Sequence, residues 1–328
     1  MPAARTRSRT PPRQADARGG ASGGRPLEAV LALAVRAARE AGAVIKQAWW
    51  AAGGSEVKDT KSNAVDLVTE TDQRCEDLVN SILRGSYPDD RIIGEESAGS
   101  EKYEPLTDAP TWTIDPIDGT TNFVHRFAQS CVIIAYLEAK EPKVAVIFDP
   151  VADELFWATK GGGAYLENPA VGKRRLQAAA TTSLAKALVS MEVGYGRDEA
   201  SVALVSGALA ALLGAGVRSI RMAGSTGLNM AYVAAGRFNA AFEHGDWERG
   251  KGPKIWDFAA GRLIVAEAAE MRAVWCRRPL VHALVAGGVT RDLTSGGRGE
   301  LDLMGRSQFS ACTSELAEEI LALLATKP

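Results

Sequence analysis

Two aspartates, Asp115 and Asp118, stand three residues apart in Trp112-Thr113-Ile114-Asp115-Pro116-Ile117-Asp118-Gly119-Thr120-Thr121-Asn122-Phe123. Pro116 lies between them, fixes its own φ and keeps Asp115 extended, so the stretch cannot continue as a regular helix. The two acids can then converge at the end of a strand that begins with the β-formers Trp112, Thr113 and Ile114. Carboxylates are the hard oxygen donors that Mg²⁺ prefers. Gly119-Thr120-Thr121 reads as a helix start with small side chains, and its unpaired backbone N–H groups suit an oxyanion such as phosphate. Acids beside such a cradle suggest metal-assisted phosphoryl chemistry. Taken alone, the same residues read equally well as a capped helix start with a glycine turn.

Two further acidic stretches change that balance: Gly94-Glu95-Glu96-Ser97 and Ile255-Trp256-Asp257. In this order the three stretches resemble the inositol monophosphatase family, Mg²⁺-dependent, lithium-sensitive phosphatases of small phosphate monoesters. The resemblance runs from about Leu27 to the C-terminus. It implies that Glu95, Asp115, Asp118, Asp257 and the backbone carbonyl of Ile117 hold Mg²⁺. It also implies that Thr120 and Asp72 orient the attacking water with Glu96 in support, and that Gly119 and Thr120 meet the phosphate. Glu95 and Asp257 also border the substrate by the same resemblance, Gly224, Ser225 and Thr226 form the substrate-contacting turn, and Glu243 accepts bonds from ring hydroxyls. Lys61 matches a loop lysine that approaches the site. Read without the resemblance, Asp72 is a helix N-cap and Glu243 an exposed strand end, whereas for Asp257 a plain N-cap and for Lys61 a solvated charge stand only as alternatives.

These residues need elements to carry them. Pro26 opens a helix with apolar spacing at Leu27, Val30, Leu31, Ala34 and Val35, ended by Gly53-Gly54. Lys58 to Asp72 predicts a loop and a strand, then a helix from Asp72 to about Gly85 and a strand at Arg91-Ile92-Ile93. Strands are expected at Ser130–Glu138, Lys143–Phe148 and Glu154–Ala158, the last turning back across Gly161-Gly162-Gly163. From Thr181 the texture becomes alternating: helices at Asp198–Gly214, Asp257–Ala268 and Ser314–Leu324, strands at Val217–Met222, Phe238–Glu243 and Val289–Leu293. The expected fold is a layered α/β (α+β) αβαβα sandwich of the sugar-phosphatase type, with residues 26–180 and 181–328 as its halves and the site between them. Met1 to Arg25 is expected to be a disordered tail.

Two stretches depart from the family's pattern. Glu248-Arg249-Gly250-Lys251-Gly252-Pro253-Lys254 lengthens the path between Glu243 and Asp257, and Ala269 to Ala286 separates the Asp257 helix from Gly287-Gly288. Both read as insertions flanking Asp257.

A formal net charge of −2 gives no general pull toward nucleic acid or anionic membrane, so phosphate binding must be local. No apolar run reaches the ~18–20 residues that span a bilayer. Cys75, Cys131, Cys276 and Cys312 are widely spaced, without a CxxC pair, and read as reduced thiols. The expected location is the cytoplasm. The Arg-rich, acid-poor start is also compatible with a plastid or mitochondrial transit peptide, though its few serines favour a plain tail. His125, His244 and His282 are scattered and no GxSxG is present, so a covalent hydrolase is not expected. The expectation is Mg²⁺-dependent hydrolysis of inositol monophosphate by a homodimer. The alternatives are another small ester (hexose 1-phosphate, histidinol phosphate or a nucleotide 3′-phosphate) or, in a different class, a non-catalytic phosphate-binding scaffold.

Overall fold

The computed structural model describes residues 25–51, 57–60, 67–98, 105–244, 252–269, 289–291 and 308–325. Residues 1–24 of the expected tail, Lys61, Gly53-Gly54, residues 245–251 and residues 270–288 lie outside the described residues, whereas Arg25, placed at the end of that tail, is described and donates to Asp90 Oδ1 at 2.7 Å.

The chain opens with α1 (Leu27–Trp50), whose buried face includes Val30, Ala34, Ala37, Ala38, Ala41 and Ile45. A two-stranded antiparallel ribbon comes next, β1 (Val57–Thr60) with β2 (Leu67–Thr69), then α2 (Glu70–Ser86). After it stand β3 (Arg91–Gly94), the one-turn α3 (Glu95–Ala98), β4 (Thr111–Asp118) and α4 (Thr120–Val124). β5 (Cys131–Glu138), β6 (Glu141–Asp149), β7 (Glu154–Thr159), β8 (Gly163–Asn168) and β9 (Gly172–Arg175) continue an antiparallel meander. β3 to β9 form one seven-stranded sheet in sequence order, with β3 alone parallel to its neighbour.

The second half supplies β10 (Leu188–Met191), α5 (Glu199–Gly214), β11 (Ser219–Arg221), α6 (Thr226–Ala234), β12 (Ala240–Glu243) and α7 (Ile255–Ala269). It ends with β13 (Val289–Arg291), β14 (Gln308–Ala311) and α8 (Ser314–Ala325). Its five strands are ordered β11-β10-β12-β14-β13. α1 and α2 cover one face of the large sheet, α6 and α7 fill the space between the sheets, and α8 with α5 closes the far side. The result is the five-layer αβαβα sandwich.

This layering explains the sequence texture. β5 is buried along nearly its whole length because helices cover both faces of its sheet, so it reads as a continuous apolar run. α6 and α7 are apolar around their whole circumference because sheets flank them on both sides. Four strands escape a reading of the sequence, the first being β1, which falls where a loop is expected. β9 is Gly-Lys-Arg-Arg and exposed throughout, β10 is only four residues long, and β14 (Gln-Phe-Ser-Ala) has no β-branched residue. Each is placed by its partner strand and not by its own pattern.

Two helix starts also differ from expectation. Thr69, not Asp72, caps α2, and α7 begins at Ile255, so Asp257 is its third residue and not its cap. In both cases the acid acts from inside the first turn. Asp72 accepts the Thr69 N–H at 2.8 Å as the return half of a capping box, and Asp257 accepts the Lys254 N–H. α1 ends at Trp50, ahead of the two glycines.

Candidate active site

Because β3 and β4 are parallel, with Gly94 opposite Ile114, their carboxyl ends emerge at one edge of the sheet. Glu95 and Glu96 begin α3 at that edge. The turn is held from beneath by Glu76 of α2. Its Oε2 accepts the Glu96 N–H at 2.7 Å and its Oε1 accepts the Ser97 N–H at 2.9 Å. Gly94 leaves room for this support, since a Cβ there would stand 2.5 Å from the Glu76 carboxyl carbon.

β4 brings Asp115 and Asp118 together by an irregularity. Side chains on a strand alternate, so residues three apart normally face opposite ways. Here Asp115 lies opposite Ile133 and Asp118 opposite Cys131, three steps on one strand against two on the other. The extra residue is a bulge, which returns both acids to one side. Pro116 sits within it, where its missing N–H costs no ladder bond. The Ile117 N–H turns to Asp115 Oδ1 at 3.0 Å.

The chain then leaves β4 through Gly119, whose φ of 85° is left-handed. A side chain there would also meet the Gln129 carbonyl at 2.7 Å and the Gly224 carbonyl at 2.9 Å. In α4, the Thr120 hydroxyl lies 3.0 Å from the Ile117 carbonyl and 3.3 Å from Asp72 Oδ1. Thr120 and Asp72, separated by 48 positions in the chain, are therefore in contact.

The second half meets these acids through the start of α6. Asp118 Oδ2 accepts the Ser225 hydroxyl at 2.5 Å and the Gly227 N–H at 2.7 Å, and Oδ1 accepts the Thr226 N–H at 3.2 Å. The donors of Ser225 and the Thr226 N–H are thus directed at Asp118. The Thr226 hydroxyl goes to Glu243 Oε2 at 2.8 Å. Gly224 is exposed on the preceding turn, and Glu243 is buried at the end of β12. Asp257 is partly buried at the start of α7. That helix is pinned at its other end, where Glu267 accepts the Gly161 and Gly163 N–H groups at 2.8 and 2.9 Å. Asp257 therefore sits between the two stretches that depart from the family's pattern, on a helix fixed at its start by the Lys254 N–H and near its end by Glu267.

Burial and mutual repulsion raise the proton affinity of these acids. Burial, with Glu95, Asp118 and Asp257 nearby, holds Asp115 well above the usual carboxylate range. Burial pushes Asp118 up to about 6 despite the pull of its four donors. Burial and then Glu95 push Asp257 up to about 7, while Lys254 opposes the rise. Among the described residues, no three His, Cys, Asp or Glu side chains are closed tightly enough to hold a metal ion as they stand. Converging carboxylates that outnumber the cations beside them repel one another. An all-oxygen, strongly acidic set of this kind fits a hard divalent cation such as Mg²⁺, and binding would displace protons.

Three residues escaped the sequence reading. Asn122, inside the Trp112–Phe123 stretch, donates from Nδ2 to the Gln129 and Ala223 carbonyls, both at 2.7 Å, and lies 3.1 Å from the Gly224 carbonyl. Glu76 had only its helical position to mark it. Glu192 had no mark, because β10, which delivers it, has none.

Comparison with known proteins identifies the family. The profile of the inositol monophosphatase family matches residues 26–327. Inositol monophosphatase 2 of Solanum lycopersicum is 43% identical over 244 residues, covering 74% of this chain and 86% of the relative. Inositol monophosphatase 2 of Homo sapiens is 37% identical over 303 residues and covers 92% of each. Among solved structures, the extragenic suppressor protein suhB from Bartonella henselae superposes with a TM-score of 0.72 at 25% identity, covering 92% of this chain and 100% of the other. An inositol monophosphatase from Anabaena gives 0.69 at 25% identity, covering 92% and 97%. The chain belongs to the inositol monophosphatase family.

Proposed function

We propose that this protein hydrolyses inositol monophosphate to inositol and phosphate with Mg²⁺ bound. The observation that carries the reading is the meeting of Asp115, Asp118, Glu95 and Asp257, drawn from both halves of the chain, beside the Thr120–Asp72 contact. Glu95, Asp115, Asp118, Asp257 and the Ile117 carbonyl would hold Mg²⁺, which supplies charge neutralisation at the leaving oxygen and a water of lowered pKa.

The protein's own groups do the rest. Asp72, fixed by Thr69, would accept a hydrogen bond from the Thr120 hydroxyl, whose oxygen lone pairs would then accept one from the attacking water. Glu96, its N–H tied to Glu76, stands beside Glu95 in support. Gly119 and Thr120 present the small-residue turn to the phosphate. Ser225 and Thr226 hold Asp118 and Glu243 in register, and Gly224 lines the turn between them. Glu243 faces the organic half of the substrate as an acceptor for its hydroxyls. Lys61 is assigned to the rim of the site on resemblance alone.

A panel of inositol monophosphate, hexose 1-phosphate, histidinol phosphate and a nucleotide 3′-phosphate, assayed with and without Mg²⁺, tests the assignment. Highest turnover on the inositol ester supports it, preference for another ester reassigns the substrate, and no turnover on any leaves a phosphate-binding scaffold. Millimolar lithium is expected to inhibit.

A homodimer is part of the reading. Val202 and Leu213, on one side of α5, are exposed apolar side chains that a second copy would cover. Light scattering at assay concentration checks it, and a monomer mass rejects it. Cys75, Cys131 and Cys312 are free, which supports a reducing compartment such as the cytoplasm, and imaging of the tagged full chain tests this against plastid or mitochondrial import.

A further inference from the structure

Glu192, the residue after β10, carries no role in the binding of metal, water or phosphate. Its carboxylate is nonetheless filled by the protein. Oε1 accepts the Ala223 N–H at 3.0 Å and Asn229 Nδ2 at 2.7 Å, Oε2 accepts the Gly224 N–H at 3.0 Å, and the Ser190 hydroxyl lies 3.5 Å from Oε1. The carbonyls of the same two turn residues are held by Asn122 of α4. The Ala223–Gly224 turn is thus clamped on both sides, by the helix of the phosphate stretch and by the end of a strand in the second sheet.

The turn in its turn places the start of α6. Gly224 has φ of 76° and leads directly into Ser225 and Thr226, whose hydroxyls hold Asp118 and Glu243. With most of its lone pairs occupied, Glu192 has little capacity to bind a substrate hydroxyl itself. We propose that Glu192 is a positioning residue for substrate recognition, fixing the Ala223–Gly224 turn and, through Thr226, the Glu243 carboxylate on the organic side of the site. This rests on the inositol phosphatase reading, which places the substrate hydroxyls at Glu243.

Charge gives the clamp a second readout. Burial, and then the Glu192 charge, push Glu243 up to about 8, with the Thr226 hydroxyl pulling the other way and Asp257 and Asp118 adding to the rise. The neighbouring His244 is held below its usual range by burial and is neutral in this window. Removing the Glu192 charge while keeping its shape lowers the Glu243 midpoint, whereas a residue that merely fills space leaves it in place.

The experiment uses the full chain and Glu192→Gln. In metal-free protein with ¹³C-carboxyl-labelled glutamate, the Glu243 signal, assigned with Glu243→Gln, titrates near pH 8. In Glu192→Gln its midpoint falls by about half a pH unit or more. With Mg²⁺ present, Glu192→Gln raises KM for inositol 1-phosphate about tenfold, equivalent to 1.4 kcal/mol, and changes KM for an aryl phosphate by less than about twofold. Glu192→Asp, which keeps the charge but withdraws it by one methylene, raises the same KM while leaving the midpoint near that of the parent, and it serves as the test if the Gln protein does not fold. An unmoved Glu243 midpoint in Glu192→Gln, or equal KM changes on both esters, overturns the proposal. If the parent protein hydrolyses neither ester, the phosphatase reading fails, and the titration still decides whether Glu192 governs Glu243.

Discussion

The Ser225 hydroxyl at the start of α6 donates to Asp118 at the end of β4 across 107 positions of sequence, at 2.5 Å. This bond ties the second half of the chain to the acidic edge of the first. It also favours the ionised form of Asp118, opposing the effect of burial. Replacing Ser225 with Ala removes one of four donors to a buried carboxylate and the side-chain cap of α6, at a cost of about 1–3 kcal/mol. Asp118 should then hold its proton more tightly, and the Mg²⁺ concentration for half-maximal activity should rise several-fold. Metal titration calorimetry checks this, and unchanged affinity would show that the bond is structural only.

Glu76 should matter although it touches no substrate. Both of its oxygens accept backbone N–H groups of α3, which starts with Glu95. In Glu76→Gln one acceptor becomes an NH₂ facing an N–H, a loss of about 1–3 kcal/mol. The expected result is a lower melting temperature and activity reduced at least tenfold, partly restored by raising Mg²⁺. Full activity at ordinary Mg²⁺ would show that Glu95 does not depend on this support.

Asp115→Asn separates function from stability. Asp115 is buried among Glu95, Asp118 and Asp257, so its charge is unfavourable in the metal-free fold. Neutralising it at almost constant volume should leave metal-free stability equal or higher, by about 1 kcal/mol. Turnover should fall by a factor of about 100 or more, since a proposed Mg²⁺ ligand is lost. Near-normal phosphate release would reject the metal assignment.

Asp149 gives a pH test away from the proposed metal ligands. It accepts the Val151 and Ala152 N–H groups, its other oxygen is buried without a partner, and burial pushes it up to about 6. The folded pKa lies above the unfolded value of about 3.9, so the fold binds this proton more tightly. Its stabilising contribution is present below about pH 4 and is lost as pH rises through 6. Asp149→Asn, which carries no charge, should therefore gain on the parent as pH rises from about 4 to about 6 and keep that gain above it, by about 2–4 °C in Tm. A difference that stays constant across that range would mean that Asp149 does not titrate there.

Removal of residues 269–286 tests the second insertion. α7 is fastened at its far end by Glu267 on the Gly161–Gly163 turn, ahead of that stretch. The shortened protein is expected to fold and to keep its activity within about threefold. An insoluble or inactive product beside an active parent would show that the stretch is built into the core.

Much of the site was legible because it lies in short local stretches. Asp115, Pro116, Asp118 and Gly119 announce a broken strand and a turn through their own chemistry, and the apolar runs of β5 and β6 announce a sheet covered on both faces. The long helices were readable for the same reason: their periodicity, or their all-round apolar character, is a property of consecutive residues. Glu192 and Glu76 were not legible. Neither belongs to a local pattern, and each has its role only because a turn distant in sequence brings N–H groups to its carboxylate. β10 and β14 are too short or too weak in propensity to declare themselves, and their partners in the sheet place them. By itself, then, the sequence determined the acidic stretches, their order and the elements that carry them. The tertiary structure decided that a bulge turns Asp115 and Asp118 to the same side and that α6 closes on Asp118. It also decided that Glu192 and Asn122 grip one turn from opposite sides, since hydrogen bonds between segments far apart in the chain depend on how the layers pack and not on any neighbouring residue.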